Sequence, residues 1–421
     1  MLTQICAKRI KRFPVILALI LFSAFPVTLA AEALQHISLT RTGLMPEDIA
    51  IIINDSDPLS QQVGSYYQRA RQIPEVNVIH LRFPPGRTTL TATEFKQLKA
   101  KIDRLTPEHV QAFAVAWTAP YRVECMSLTS ALAFGFDKKY CADKCEPTAP
   151  SPYFNALGSY PFDDYKIRPA MMLAGTSFTQ IKDLIDRGIA SDHTFPKGQA
   201  YLLNTSDKAR STRAITFAET AKEFTGIFPV QVLEADFISD RKDVLFYFTG
   251  LTHVSSLDTL EFIPGALADH LTSVGGMLTD SSQMSSLRWL KAGATASYGT
   301  VIEPCSFPQK FPSPVVAMFH YALGASALEA YWKSVAWPGQ GVFIGEPLAK
   351  PFAPLLREMS TDRFELKIFS PRVGRLKIEK SHSAAGPFKL ASRPQTIRRG
   401  ENRFLLKFNE KTDGYLKLHW N

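Results

Sequence analysis

Residues 49–71 read IAIIINDSDPLSQQVGSYYQRAR, and their reading decides the fold. Ile49 to Asn54 is a continuous apolar run, the pattern of a strand buried on both faces of a parallel sheet. Asp57 then offers an N-cap and Pro58 the first helical position, so a helix is expected to run to about Arg71. The same alternation continues through a strand at Val76–Leu81, a helix at about Thr93–Leu105 and a strand at Gln111–Thr118. Repeated βαβ units imply a doubly wound, mostly parallel α/β sheet.

Between about Tyr121 and Pro169 the pattern breaks, and the segment reads as a long insertion pinned by cysteines. Regularity returns with a helix near 178–189, a strand at 199–204, a helix near 209–224 and strands at 230–236 and 244–249. Pro264-Gly265-Ala266 reads as a helix start, with its end at Gly275-Gly276. Met277 and Leu278 then read as a short strand ending at Asp280-Ser281-Ser282, followed by a helix and the Gly-Ala-rich strand before Thr300. Two helices, near 315–323 and 327–335, precede the close of the domain at 341–352. From about Thr361 the apolar residues sit two apart, as in Phe364, Leu366 and Ile368, with Lys367, Lys377, Lys407 and Lys417 between apolar positions. This is the signature of a small antiparallel β domain, read as a sandwich with one basic face. No internal repeat stands out.

Lys8, Arg9, Lys11 and Arg12 precede the apolar run Val15–Phe25, and small residues lead to a cleavage position after Ala30. That is the layout of a secretory signal peptide, so residues 1–30 are set apart and an exported, periplasmic or extracellular protein is expected. No later stretch reaches spanning length. The expected organisation is therefore a signal peptide, an α/β domain over 31–360 with an insertion at about 121–169, and a basic β domain over 361–421.

The net charge of +9 is unevenly placed. The signal segment carries four basic and no acidic residues, and 361–421 carries fourteen Lys and Arg against six Asp and Glu. The tail alone is thus +8 and the body about −3. An envelope polyanion or an exported protein is the expected partner of the tail, and no nucleic acid is expected. Cys125, Cys141, Cys145 and Cys305 remain after export, an even number suited to disulfides whose pairing the sequence leaves open. Zinc at Cys141 and Cys145 is the rival reading, but no second ligand pair accompanies them, and neither metal nor cofactor is expected.

Candidates for chemistry follow the expected strands. His253 lies past the strand at 244–249, where a general base would be well placed, with a surface loop histidine as the bland alternative. Asp280, Ser281 and Ser282 offer a nucleophile or a helix cap, and the Gly-x-Ser-x-Gly elbow is absent. Cys305 offers a thiolate or a disulfide partner. Asn54 and Asp55 follow the first strand, and with Gly250 and Thr252 they are expected to line the cleft. Asp57 fits its role as N-cap.

The phrases PGALADHLTSVGGMLTDSSQMSSLRWLKAG (264–293), AGATASYGTVIEPC (292–305) and ALEAYWKSVAWPGQGVFIGEPLAKPF (327–352) resemble an exported bacterial family. That family is found in genomes that encode exosortase, the membrane enzyme of PEP-CTERM systems that sorts envelope proteins. More distantly, the chain is similar to gingipain-type and caspase-like cysteine peptidases. Phe248-Thr249-Gly250 matches the strand end that presents their catalytic histidine, although Leu251 and Thr252 stand where His-Gly would be and His253 comes late. Their nucleophilic cysteine falls on about Asp280–Ser282, where there is no thiol, and Gly345-Glu346-Pro347 matches the closing motif. The resemblance implies a caspase-like sheet with a degenerate cleft, in an accessory or binding protein of exosortase-linked sorting or exopolysaccharide. The alternatives are a hydrolase using Ser281, Ser282 or Cys305 with His253, and a scaffold that assembles through the insertion.

Overall fold

Ile49–Asn54 forms strand β1 with all six residues buried. The computed structural model describes residues 37–40, 43–142, 145–360, 362–407 and 414–420, so the signal-peptide segment lies outside the described residues. Asp57 accepts a hydrogen bond from the Leu59 backbone and starts the helix Pro58–Arg71, as the sequence implies. Further strands are β2 Val78–Leu81, β3 Ala112–Val115, β4 Ala170–Met172, β5 Gln199–Asn204 and β6 Val230–Glu234. The set closes with β7 Val244–Thr249, β8 Phe262–His270, β9 Ala296–Thr300 and β10 Gly341–Gly345.

These ten strands make one sheet in the order β6-β5-β7-β8-β9-β10-β4-β3-β1-β2. Every neighbouring pair is parallel except β9 and β10. The sheet is therefore two parallel halves running in opposite directions. Strands β1 to β4 lie in the order β2-β1-β3-β4, and β5 to β8 in the order β6-β5-β7-β8. The chain thus carries an internal topological repeat that its sequence does not announce. A trace survives at the equivalent strand ends, Ile53-Asn54-Asp55-Ser56-Asp57 against Leu203-Asn204-Thr205-Ser206-Asp207.

Three expectations are corrected. Residues 264–270 are strand, not helix: Gly265 takes φ +94°, Pro264 lacks an amide, and the β7–β8 register shifts between Val244 and Phe246. From Gly265 to His270 the strand is buried between β7 and β9, and a strand covered on both faces loses the alternation that would have revealed it. Met277–Leu278 is not a strand either, so Asp280–Ser282 does not close one. Gly276 lies against the backbone of β9, where a Cβ would come 2.4 Å from the Gly299 carbonyl oxygen. The insertion is also more regular than expected, with a largely buried helix at Leu128–Phe134 and a short one at Pro161–Tyr165.

The β9–β10 seam is close-packed. A Cβ on Gly341 would meet the Tyr298 hydroxyl at 1.9 Å, and Gly345, at φ +142°, leaves 2.6 Å to Ala296. The chain leaves β10 into Glu346, a buried carboxylate. Its oxygens accept from the Tyr67 hydroxyl at 2.7 Å and from Arg71 at 3.0 and 2.5 Å, and Arg71 also pairs with Asp192. The closing Gly-Glu-Pro motif thus ties the seam to the first helix.

The tail forms two small sheets. Leu355–Ser360, Arg363–Ser370 and Gly400–Lys407 pair antiparallel, so strand structure begins before Thr361. The other sheet holds Gly374–Ser381, Lys389–Leu390, Gln395–Ile397 and Gly414–Trp420, and it is joined in parallel by Ile37–Leu39 from near the start of the described chain. Phe364, Leu366 and Ile368 pack with Leu376, Ile378 and Leu416 between the two sheets. Phe369 reaches the body, stacking on Phe228 with 5.4 Å between ring centroids and meeting Phe352 at 4.8 Å. Among the described residues no helix is long and apolar enough to cross a membrane.

Removing one partner of a buried ion pair leaves the other charge uncompensated and costs about 3–5 kcal/mol. Glu346→Ala is expected to destabilise the chain by about 3 kcal/mol, measured by urea unfolding. A loss below about 1 kcal/mol would contradict the anchoring role of this carboxylate.

Candidate functional site

In an open α/β sheet ligands bind beyond the carboxyl ends of the strands. Because the two halves run in opposite directions, this chain has two such edges, on opposite sides of the sheet. Asn54 and Asp55 stand at one, while Gly250 and Thr252 stand at the other, so the four expected cleft residues do not share a cleft. Asn54 spends its amide locally, donating to the Phe83 carbonyl at 3.0 Å, and Asp55 holds His80 at 2.7 Å.

At the edge of the second half, the segments following β5, β8 and β9 enclose a cleft of about 390 Å³. Arg210, Thr272, Ser273, Glu303 and Cys305 line it, together with Cys145 from the insertion. Arg210 is oriented by Asp207 at 2.7 Å and donates to the Thr272 hydroxyl at 3.3 Å. Thr272 donates in turn to Gln283 at 2.6 Å. Gly250 is required here, since a Cβ would lie 1.9 Å from the Arg210 carbonyl oxygen. Glu303 accepts from the Cys305 amide at 2.7 Å.

One wall of the cleft is a disulfide. Cys305 is bonded to Cys145, and Cys125 to Cys141. This resolves the pairing the sequence leaves open. It also puts Cys141 and Cys145 in different bridges and removes Cys305 as a thiolate. Among the described residues no cluster of His, Cys, Asp and Glu could hold a metal ion.

Among the described residues neither remaining serine is hydrogen-bonded to a histidine. The Ser281 hydroxyl donates to the Val274 carbonyl at 2.8 Å and accepts from the Gln283 amide at 3.1 Å, stapling its own loop. Ser282 is exposed. Asp280 accepts from the Tyr121 hydroxyl, which reaches it from the segment after β3. His253 is exposed in the loop after β7 and hydrogen-bonds neither serine. Thr252 holds the Met284 amide through its carbonyl at 2.9 Å.

Two ionisable groups at the end of β8 escaped the sequence analysis, because their strand reads as a helix. Asp269 is fully buried against Arg213 at 2.7 Å, and burial pushes its carboxyl up to about 6. Arg213 also donates to the Thr249 carbonyl at 2.6 Å and the Pro312 carbonyl at 3.0 Å, fastening β7 to the segment before the helix Pro314–Ala322. His270 accepts from the Trp289 indole at Nδ1, 2.9 Å, so its proton sits on Nε2, which donates to the Met284 carbonyl at 3.1 Å. Burial holds it neutral, down to about 3. Both nitrogens are committed, and this imidazole ties β8 to Met284 and to Trp289 of the helix Leu287–Ala292.

Comparison with protein-family models, curated proteins and solved structures returned no match.

The unfolded chain protonates His270 near its ordinary 6.5, whereas the folded chain resists until about 3. The unfolded state binds more protons across that window, so this group lowers stability as pH falls from about 6.5 towards 3, by about 1.4 kcal/mol per pH unit. Asp269 acts in the opposite sense between its ordinary 3.8 and about 6, where only the folded state keeps the proton. Comparing His270→Gln with the parent isolates the histidine. The variant is expected to show a slope of stability on pH shallower by about 1.4 kcal/mol per unit, read from urea midpoints. Equal slopes would contradict the neutral, buried assignment.

Proposed function

We propose that this chain is an exported binding or accessory protein of the cell envelope, with a caspase-like sheet whose cleft holds a ligand without hydrolysing it. The observation that carries the reading is the cleft wall itself. Its two cysteines are spent in the Cys145–Cys305 bridge, and His253 hydrogen-bonds neither Ser281 nor Ser282. A serine without an aligned base is a weak nucleophile. The cleft instead offers an oriented guanidinium, hydroxyls and an exposed carboxylate, which suit a polar peptide segment of an exported protein.

The resemblance to an exosortase-associated family supports a place in protein sorting or exopolysaccharide assembly, and the two disulfides fit an oxidising compartment. The basic tail supplies attachment to an anionic partner in the envelope.

The test pairs covalent labelling with binding. A fluorophosphonate and iodoacetamide are expected to leave the cleft unmodified, while an array of envelope-protein peptides captures the chain and Arg210→Ala weakens that capture about ten-fold. Labelling of Ser281, Ser282 or Cys305 that disappears on mutating that one residue would overturn the binding reading in favour of a hydrolase.

A further inference from the structure

The first half of the sheet has a groove of its own at its carboxyl edge. About 310 Å³ in volume, it lies between the segment that follows β2, the helix Ala92–Leu105, and Pro120 beyond β3. Open α/β sheets receive ligands at that edge, and the size is at the lower end for small-molecule pockets, about 300–1,000 Å³. Phe83, Leu90, Leu98 and Pro120 make the apolar part of the lining. Arg82, Arg87 and Lys101 line it as well, against one acid, Glu94, among the described residues.

The walls are built in advance. Asn54 does not line the groove but is 1% exposed behind it and holds the Phe83 backbone twice. Its side-chain amide donates to the Phe83 carbonyl at 3.0 Å, and its oxygen accepts from the Phe83 amide at 3.3 Å. The Phe83 ring meets Trp117 edge-on, with 5.2 Å between centroids, and the Trp117 indole donates to the Pro120 carbonyl at 3.0 Å. Arg87 fastens the loop to the helix through Glu94, at 2.5 and 3.1 Å, and the Thr91 amide and hydroxyl donate to the same carboxylate at 2.8 Å each. The one acid of the lining is thus neutralised and spent. The other two cations are not so held. Arg82 comes only within 3.8 Å of Asp55, which His80 already holds at 2.7 Å, and Lys101 pairs with no carboxylate among the described residues.

A preformed apolar groove with two loosely held cations suits an anion on an apolar body. It offers little to a peptide main chain. Asn54 takes up the amide and carbonyl of Phe83, and the Thr88 carbonyl accepts from the amides of Tyr121 and Arg122 at 3.1 and 3.3 Å. We propose that this groove binds a medium-chain acyl carboxylate, its chain against the apolar lining and its carboxylate held by Arg82 and Lys101. Asn54 is then a positioning residue of this site. The groove shares no lining residue with the cleft at the end of β8, so the proposal does not rest on the reading of that cleft.

The experiment titrates the mature chain with octanoate by calorimetry, with 1-octanol, acetate and N-acetyl-leucyl-leucine as comparison arms. Octanoate is expected to bind at least about five-fold more tightly than each of the three. Arg82→Gln with Lys101→Gln is expected to weaken octanoate at least about five-fold, and Lys96→Gln with Arg104→Gln, which removes the same charge outside the lining, less than about two-fold. Gln97→Trp places an indole in the lining from an exposed position of the helix and is expected to abolish binding with the circular dichroism spectrum unchanged. Failure of the parent to bind octanoate overturns the proposal, as does octanol binding equally well, equal weakening in the two charge variants, or binding that survives Gln97→Trp. Tighter binding of the dipeptide acid than of octanoate overturns the acyl assignment in favour of a peptide carboxyl terminus.

Discussion

The antiparallel pairing of β9 with β10 is the constraint on which the rest of the structure depends. Two parallel half-sheets of the same strand order meet there head to tail, over five residue pairs from Ala296–Gly345 to Thr300–Gly341. Glycine is needed at the seam because Tyr298 and Ala296 occupy the space a side chain would take. Tyr298 then donates to the Lys310 carbonyl at 2.5 Å, and Glu346 turns back to hold Arg71 and Tyr67. One pairing therefore fixes the direction of both halves and sends their carboxyl ends to opposite edges. A cleft built at one edge draws nothing from the other, which is why Asn54 and Asp55 play no part in the cleft beside Gly250.

The cleft inherits its character from that arrangement and from the insertion. A segment that leaves the first half after β3 returns to the second half's edge and is bonded there through Cys145 to Cys305. The bridge spans 160 residues of sequence, so it ties together parts of the chain that would otherwise meet only through packing. The same bond takes up both cysteines at the cleft, Cys145 and Cys305. Beneath it, the buried Asp269–Arg213 ion pair and the His270–Trp289 hydrogen bond hold the end of β8.

How much of this was legible in the sequence follows from burial. Strands such as β1 and β7, six apolar or neutral residues between turn signals, stand out because nothing polar interrupts them. The helix at Pro58 announces itself through Asp57. The tail's alternation survives because one face of each sheet is wet. Strand β4, only three residues long, gives no pattern, and β8 hides behind Pro264 and Gly265, which mimic a helix start. The strand therefore ends at His270 and not near Asp280, where the sequence pattern places a strand end. Placing Arg210 beside Thr272 needs the strand order, which sequence spacing does not carry.

The cleft wall is a closed disulfide, and the proposed binding role depends on it. The measurement to make is peptide mapping of the unreduced protein, expressed into an oxidising compartment, by mass spectrometry. Linked peptides joining Cys145 to Cys305 and Cys125 to Cys141 are expected, with none of these four cysteines alkylated before reduction. Recovery of Cys305 as an alkylated free thiol would contradict it and return a nucleophile to the cleft.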